Sequence, residues 1–389
     1  MEKITVYADN AATTRISKAA LDAAMPYLTE QFGNASAVYS LGRKSREAIL
    51  IARQQAAKAL GAEVYEIFFT SGGTEADNWA INACAQLGQE NGKKHIITSS
   101  IEHYAVLESC KALEKQGFEV TYLPVSDDGF VSVSDLEAAL REDTCLVSIM
   151  AANNEIGTIQ PIAEIGKLCR KKGVLFHTDA VQAMGNIAID VNGMNIDLLS
   201  VSGHKIHAPK GVGCLYCRKT IDLPSFIKGG HQERGKRAGT ENTAFIAAFG
   251  VAMEQASSGI DERAAYVKKL RDRLLDGLYG IERMNINGSL DNRLPGNVNL
   301  SFDGIEGEGL IIVLDMQGIC VSSGAACASG SLEPSHVLLA LGKSEKQAQG
   351  SVRITLNEEN TEEDVDCISQ KFKEAVEHLR SVSPMWDNG

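Results

Sequence analysis

No apolar run in this chain of 389 residues is long enough to cross a bilayer. A spanning helix needs roughly 20 apolar residues, and the most apolar stretch near the end of the chain, Leu310 to Leu314, stops far short. The first residues, MEKITVYADN, are acidic and polar where a signal peptide needs an apolar centre, so neither export nor a membrane partner is expected. Positive charge is also scarce. Lys and Arg total 38 against 50 Asp and Glu, a formal net charge of −12, which argues against a nucleic-acid partner. The nine cysteines are scattered and odd in number, so no disulfide framework is expected and a reducing cytoplasm fits best. Repeats, low-complexity linkers and long charge runs are missing too.

What is present is an ordinary globular composition, 44% hydrophobic and 23% charged, in a chain long enough for two domains. Short β-rich runs occur at Ile67–Thr70, His95–Ser99, Val120–Val125, Leu146–Met150, Val174–His177, Leu198–Ser202 and Val212–Tyr216. Amphipathic stretches such as Tyr104–Gln116, Ser134–Arg141 and Ile162–Lys172 separate most of them. This alternation predicts an α/β fold, with a mainly parallel seven-stranded sheet covered on both faces. From about residue 260 the texture changes. A charged helical stretch, Asp261–Leu278, leads into irregular segments and then a helix near Glu362–Arg380. We read residues 15–259 as a large domain and residues 1–14 with 260–389 as a smaller α+β domain.

Ligands of such folds gather at the carboxyl ends of the strands. There the sequence puts Glu102-His103, Asn153-Asn154-Glu155, Asp179 with Gln182, and Gly203-His204-Lys205. Each alone reads as a solvated loop; together they predict a site. Ser71-Gly72-Gly73-Thr74 also follows a strand and precedes a helix. It is either an anion cradle of free amides or a glycine turn capped by Thr74. Its spacing is neither a P-loop nor a dinucleotide fingerprint, which weighs against ATP and NAD. Lys205 is either a surface lysine or a desolvated amine able to form a Schiff base. Asp179, 26 positions earlier, would be the anion that keeps a pyridine nitrogen protonated. Cys327 lies among small residues and two glycines, Gly324 and Gly330, which suits either a reactive thiol on a mobile segment or an inert one. Cys214 and Cys217 have C-x-x-C spacing, but in a strand they would face opposite ways. No metal site is expected.

At these residues the chain resembles the cysteine desulfurases of the NifS/IscS group, within the fold-type I pyridoxal-phosphate enzymes. The resemblance runs nearly the full length. It includes Tyr7–Thr14, Thr70–Asn78, Glu102-His103, Asn153–Gly157, His177–Gln182, Ser202–Lys205, Arg237–Asn242, the segment around Cys327, Leu332–His336 and Ser351–Arg353. It implies pyridoxal 5'-phosphate as cofactor and L-cysteine as substrate. It assigns catalysis to Lys205, Cys327 and His103. Lys205 would hold the cofactor, Asp179 would bind its ring nitrogen, Gln182 its phenolic oxygen, and His103 would stack on the ring. Gly73, Thr74, Ser202 and His204 would surround the phosphate, with Thr240 arriving from a second subunit of a homodimer. Arg353 would grip the substrate carboxylate in a bidentate pair, aided by Asn154. Sulfur would pass to Cys327 as a persulfide, leaving alanine. An acceptor protein would then carry it to iron–sulfur cluster assembly or tRNA thiolation. A selenocysteine lyase, an aminotransferase on the same fold and a non-catalytic assembly scaffold are the competing readings.

Overall fold

A computed structural model describes residues 5–323 and 334–386. The strands, in chain order, are β1 (Val6–Tyr7), β2 (Ile67–Thr70), β3 (His95–Ser99), β4 (Glu119–Leu123), β5 (Thr144–Ser148), β6 (Leu175–Asp179), β7 (Leu198–Ser202), β8 (Gly213–Cys217), β9 (Met284–Ile286), β10 (Asn297–Phe302), β11 (Ile319–Cys320) and β12 (Ser351–Thr355). β2 to β8 form a seven-stranded sheet in the order β2-β8-β7-β6-β5-β3-β4. β8 is antiparallel to both its neighbours, so every other strand of the sheet points the same way.

The seven strands are those read from the sequence, with shifted ends. β4 stops at Leu123 because Pro124 has no N–H to continue the ladder. β5 stops at Ser148, and two residues on the Met150 N–H turns to the Glu102 carboxylate at 3.0 and 3.1 Å. β6 runs on to Asp179, which therefore ends its strand instead of following it.

Alternation along the strands separates two apolar cores. Ile67, Phe69, Ile97, Val147, Phe176, Leu199, Val201 and Tyr216 belong to one. Phe68, Ile96, Leu146, Leu198, Leu215 and Cys217 belong to the other, where they meet Ala76, Trp79, Ala80 and Ala83 of the helix Gly73–Glu90. Cys214 and Cys217 fall in different cores, so the C-x-x-C pair does face opposite ways. A third core joins Val6 and Ala8 to Leu270 and Leu274 of the helix Ile260–Leu278, to β10 and β12, and to Phe372 of the helix Glu362–Val382. β12, β10 and β9 form an antiparallel sheet there. This corrects the reading of the region as irregular. Asn297–Phe302 alternates strictly, with Val298, Leu300 and Phe302 in the apolar core and its Asn and Ser residues buried as well, a period-two signal that the sequence reading passed over. Among the described residues no helix is long and apolar enough to cross a membrane.

Candidate active site

The second face of the large sheet does not stay apolar. Two residues beyond Leu146 is Ser148, two beyond Leu175 is His177 and then Asp179, and two beyond Leu198 is Ser200 and then Ser202. All these polar side chains are buried. They sit toward the carboxyl edge, where a cavity of about 770 Å³ opens. Gly73, Thr74, His103, Asn154, Asp179, Gln182, Ser202, His204, Lys205 and Arg353 all line it.

Local structure fixes each of them. Gly72 caps the helix Gly73–Glu90 without a side-chain bond, and Thr74 lies inside the first turn, so the alternative of a Thr74 cap is set aside. The Ala76 N–H bonds Gly72 O at 3.2 Å, leaving the amides before it without an intrahelical partner. A Cβ on Gly73 would lie 2.7 Å from Val181 Cγ2, so only glycine lets the helix start sit this close. His103 caps the next helix, Tyr104–Glu114, its Nδ1 accepting from the Ala105 N–H at 3.1 Å. In the neutral ring the proton is then on Nε2.

Asp179 is buried and accepts the Val181 N–H at 2.9 Å. Burial raises its pKa, against the pull of His103, the Val181 amide and Lys205. Gln182 donates to Ala11 O at 3.0 Å. His204 and Lys205 share one tight turn, Gly203–Lys205, directly after Ser202. His204 Nδ1 is 3.2 Å from Thr13 Oγ1, and its pKa is pushed down to about 4 by burial and then by Lys205 and Lys210. His204 is therefore a neutral ring at pH 7. Lys205 Nζ donates to Ala11 O at 2.6 Å and Ala12 O at 2.7 Å. Arg353 comes from β12, outside the large sheet, and donates to Asp9 Oδ1 at 2.8 Å and Asn154 O at 3.0 Å.

One predicted residue, assigned above to the site of a second subunit, does not line the cavity of its own chain. This is Thr240, which is exposed. Its segment is tethered by Arg237, which grips Glu75 at 2.8 and 3.1 Å. Cys327 lies outside the described residues. The sequence reading gave no role to three residues that line the cavity: Asp77, Glu155 and His336. Glu155 accepts from Ser335 Oγ, and His336 Nε2 is 3.0 Å from Glu102 O. Asp9 and Glu102 were given no role either, although they stand inside quoted motifs. Burial pushes the Glu102 carboxyl up to about 8.

The donor set suits a flat, phosphorylated, nitrogen-containing ring. Hydroxyls of Thr74 and Ser202, the start of a helix, the buried acid Asp179 and the amine of Lys205 all line one cavity. The aminotransferase class-V family model matches residues 6–368. A cysteine desulfurase IscS of Methanosarcina thermophila is 53% identical over 384 residues, covering 99% of this chain and 95% of that one. A solved NifS-like protein is 40% identical with a TM-score of 0.90, covering 97% and 100%. The structure of SspA in complex with cysteine is 39% identical with a TM-score of 0.81, covering 91% and 99%.

Proposed function

The chain belongs to the class-V aminotransferase family and, within it, to the cysteine desulfurases; from that premise we propose that it binds pyridoxal 5'-phosphate and moves sulfur from L-cysteine onto Cys327. The observation that carries this reading is the meeting of Lys205, Asp179, His103 and Arg353 at one cavity. SspA, a relative on the same fold, binds cysteine.

When bound, pyridoxal phosphate supplies an electron sink that eases loss of a proton from the carbon bearing the amino group. Gly73, Thr74, Ser202 and His204 would hold its phosphate, Gln182 its phenolic oxygen, and Asp179 its ring nitrogen. His103, oriented by its cap bond, would lie against the ring. Lys205 would tether the cofactor, then act as the base at the substrate Cα. Arg353 would orient the substrate by its carboxylate, its own place set by Asp9 and the Asn154 carbonyl. The Cys327 thiolate would attack the substrate sulfur. An S–S bond forms, the Cβ–S bond breaks, and its electron pair stays with the carbon fragment, which is protonated and leaves as alanine.

Three further parts complete the proposal. The chain is a homodimer in which Thr240 reaches the partner's phosphate site. Residues 15–259 form the cofactor domain, and 1–14 with 260–389 the smaller one, as the core shared by Val6, Ala8 and Val267 supports. The enzyme works in the cytoplasm and hands sulfur to an acceptor for cluster assembly or tRNA thiolation. Mass spectrometry after exposure to L-cysteine, before any reductant, tests the central claim. A persulfide on the Cys327 peptide is expected; steady alanine production with Cys327 unmodified would overturn it. An aminotransferase would instead yield a keto acid.

A further inference from the structure

Toward the carboxyl edge of the sheet the contact with the helix Gly73–Glu90 turns from apolar to polar, and the scheme above uses few of the polar residues there. Ser148, His177 and Ser200 sit on the adjacent strands β5, β6 and β7. His177 is fully buried, with Nδ1 2.8 Å from Ser148 Oγ and Nε2 3.0 Å from Ser200 Oγ. The helix sets Asp77 against this row, 1% exposed. Asp77 Oδ1 has no hydrogen-bond partner among the described residues. Among the described residues, the basic side chain in ion-pair range is His177, whose Nε2 is 3.6 Å away. Burial holds that imidazole far below its usual pKa, near 3, so it brings no positive charge at neutral pH. The acids that act on Asp77 are Asp179 and Glu102, and both disfavour a second negative charge; Ser200 alone pulls the other way.

A carboxylate buried without a cation takes up a proton. Asp179 is served differently. It has the Val181 amide at 2.9 Å and the favourable fields of His103 and Lys205. The two acids are therefore unequal. We propose that Asp77 is a neutral carboxylic acid that holds the proton of this buried pair, leaving the negative charge on Asp179. Asp77 is a positioning residue that acts through Asp179. The protonation itself is independent of the cofactor; its consequence rests on the role given to Asp179 above.

Infrared spectroscopy of the cofactor-free protein at pH 7 tests it, with aspartate carrying ¹³C in the side-chain carboxyl. The label separates Asp77 from Glu102, which also carries a raised pKa. A protonated-carboxyl band that shifts with the label and vanishes in Asp77→Asn is expected. Absence of a labelled band in the unmutated protein, or its survival in Asp77→Asn, overturns the proposal. Should Asp77→Asn fail to fold, Asp179→Asn decides. The band persists if the proton is on Asp77 and disappears if it is on Asp179. In the loaded enzyme, Asp77→Asn should leave the pH midpoint of the cofactor's absorbance within about 0.3 unit. A fall of roughly one unit or more would mean that a negative charge had been removed. If the band behaves as expected but the protein never binds pyridoxal phosphate, the cofactor reading fails and the Asp77 assignment stands.

Discussion

The two faces of the large sheet are made from the same strands and have opposite fates. One face carries Phe69, Val147, Phe176, Leu199 and Val201 into a continuous apolar core. The other starts with Leu146, Leu175 and Leu198, then turns to Ser148, His177, Asp179, Ser200 and Ser202. Alternation with a period of two makes this possible, since neighbouring residues on one strand can serve a core and a site. The great majority of buried polar groups are partnered. The second face follows that rule with bonds such as His177 to both Ser148 and Ser200. The lesson is that a site built on a sheet appears where apolar alternation breaks on one face alone.

The sharpest way to break the comparison is to alter each face in the same strand. Phe176 is fully buried on the apolar face. Phe176→Ala should lower stability by about 3–5 kcal/mol, by urea unfolding, through lost burial and a residual cavity. The fraction that stays folded should still bind pyridoxal phosphate. Asp179→Ala, three residues along on the polar face, should do the reverse. It should leave the unfolding midpoint close to that of the unmutated protein or higher, because a buried acid is removed. Turnover should fall on the order of 100-fold or more, because a preorganised charge is lost. Equal losses of stability in the two variants would show that the faces are not specialised.

A smaller effect sharpens the boundary between the two roles. Gly73→Ala puts a Cβ 2.7 Å from Val181 Cγ2, in contact with the residue whose N–H bonds the site's acid, Asp179. We expect a loss of roughly 1–3 kcal/mol from overpacking, together with weaker cofactor binding. Val181→Ala in the same chain should restore stability, since it removes the colliding methyl. Thermal denaturation and cofactor titration of the single and double variants check this.

Most of this site was legible in sequence because its groups lie just past strand ends, where period-two runs stop and polar residues begin. All seven large-sheet strands were found for the same reason. Three things were not legible. Asp77 is spaced on a helix, and nothing in Thr74–Asn78 tells which residue turns inward. Asp9 matters through an ion pair with Arg353, 344 positions away, which no local pattern reveals. The strands β9 and β11 were hidden because they are only three and two residues long, and in β10 and β12 the Asn and Ser residues are buried as well, so polarity there marks no solvent face. Asn287, for instance, is buried by bonds to Asn299 and Ser301, so polarity there marks an internal network instead of a loop.

The last effect is read in pH dependence and concerns Glu102, which ties Ser99 of β3 to Met150 just beyond β5. Its carboxylate accepts from Ser99 Oγ at 2.6 Å and from the Met150 N–H. Its pKa rises to about 8, chiefly by burial and against those two hydrogen bonds. In the unfolded chain the same group titrates near 4.3. Between these values the folded protein binds a proton that the unfolded chain has lost. Stability from this group is therefore fully present below the unfolded pKa and declines as pH rises toward about 8. Glu102→Gln keeps the shape and removes the titration, so stability should vary less steeply across that window. His204 contributes with the opposite sign. Its depressed pKa makes stability rise with pH between about 4 and its unfolded value, and the substitution should leave that limb in place. Urea unfolding at a series of pH values from 4 to 9 separates the two limbs. An unchanged slope between pH 6.5 and 8 in Glu102→Gln would mean that the buried carboxyl is ionised throughout, with Ser99 and the Met150 amide supplying enough stabilisation to hold its charge.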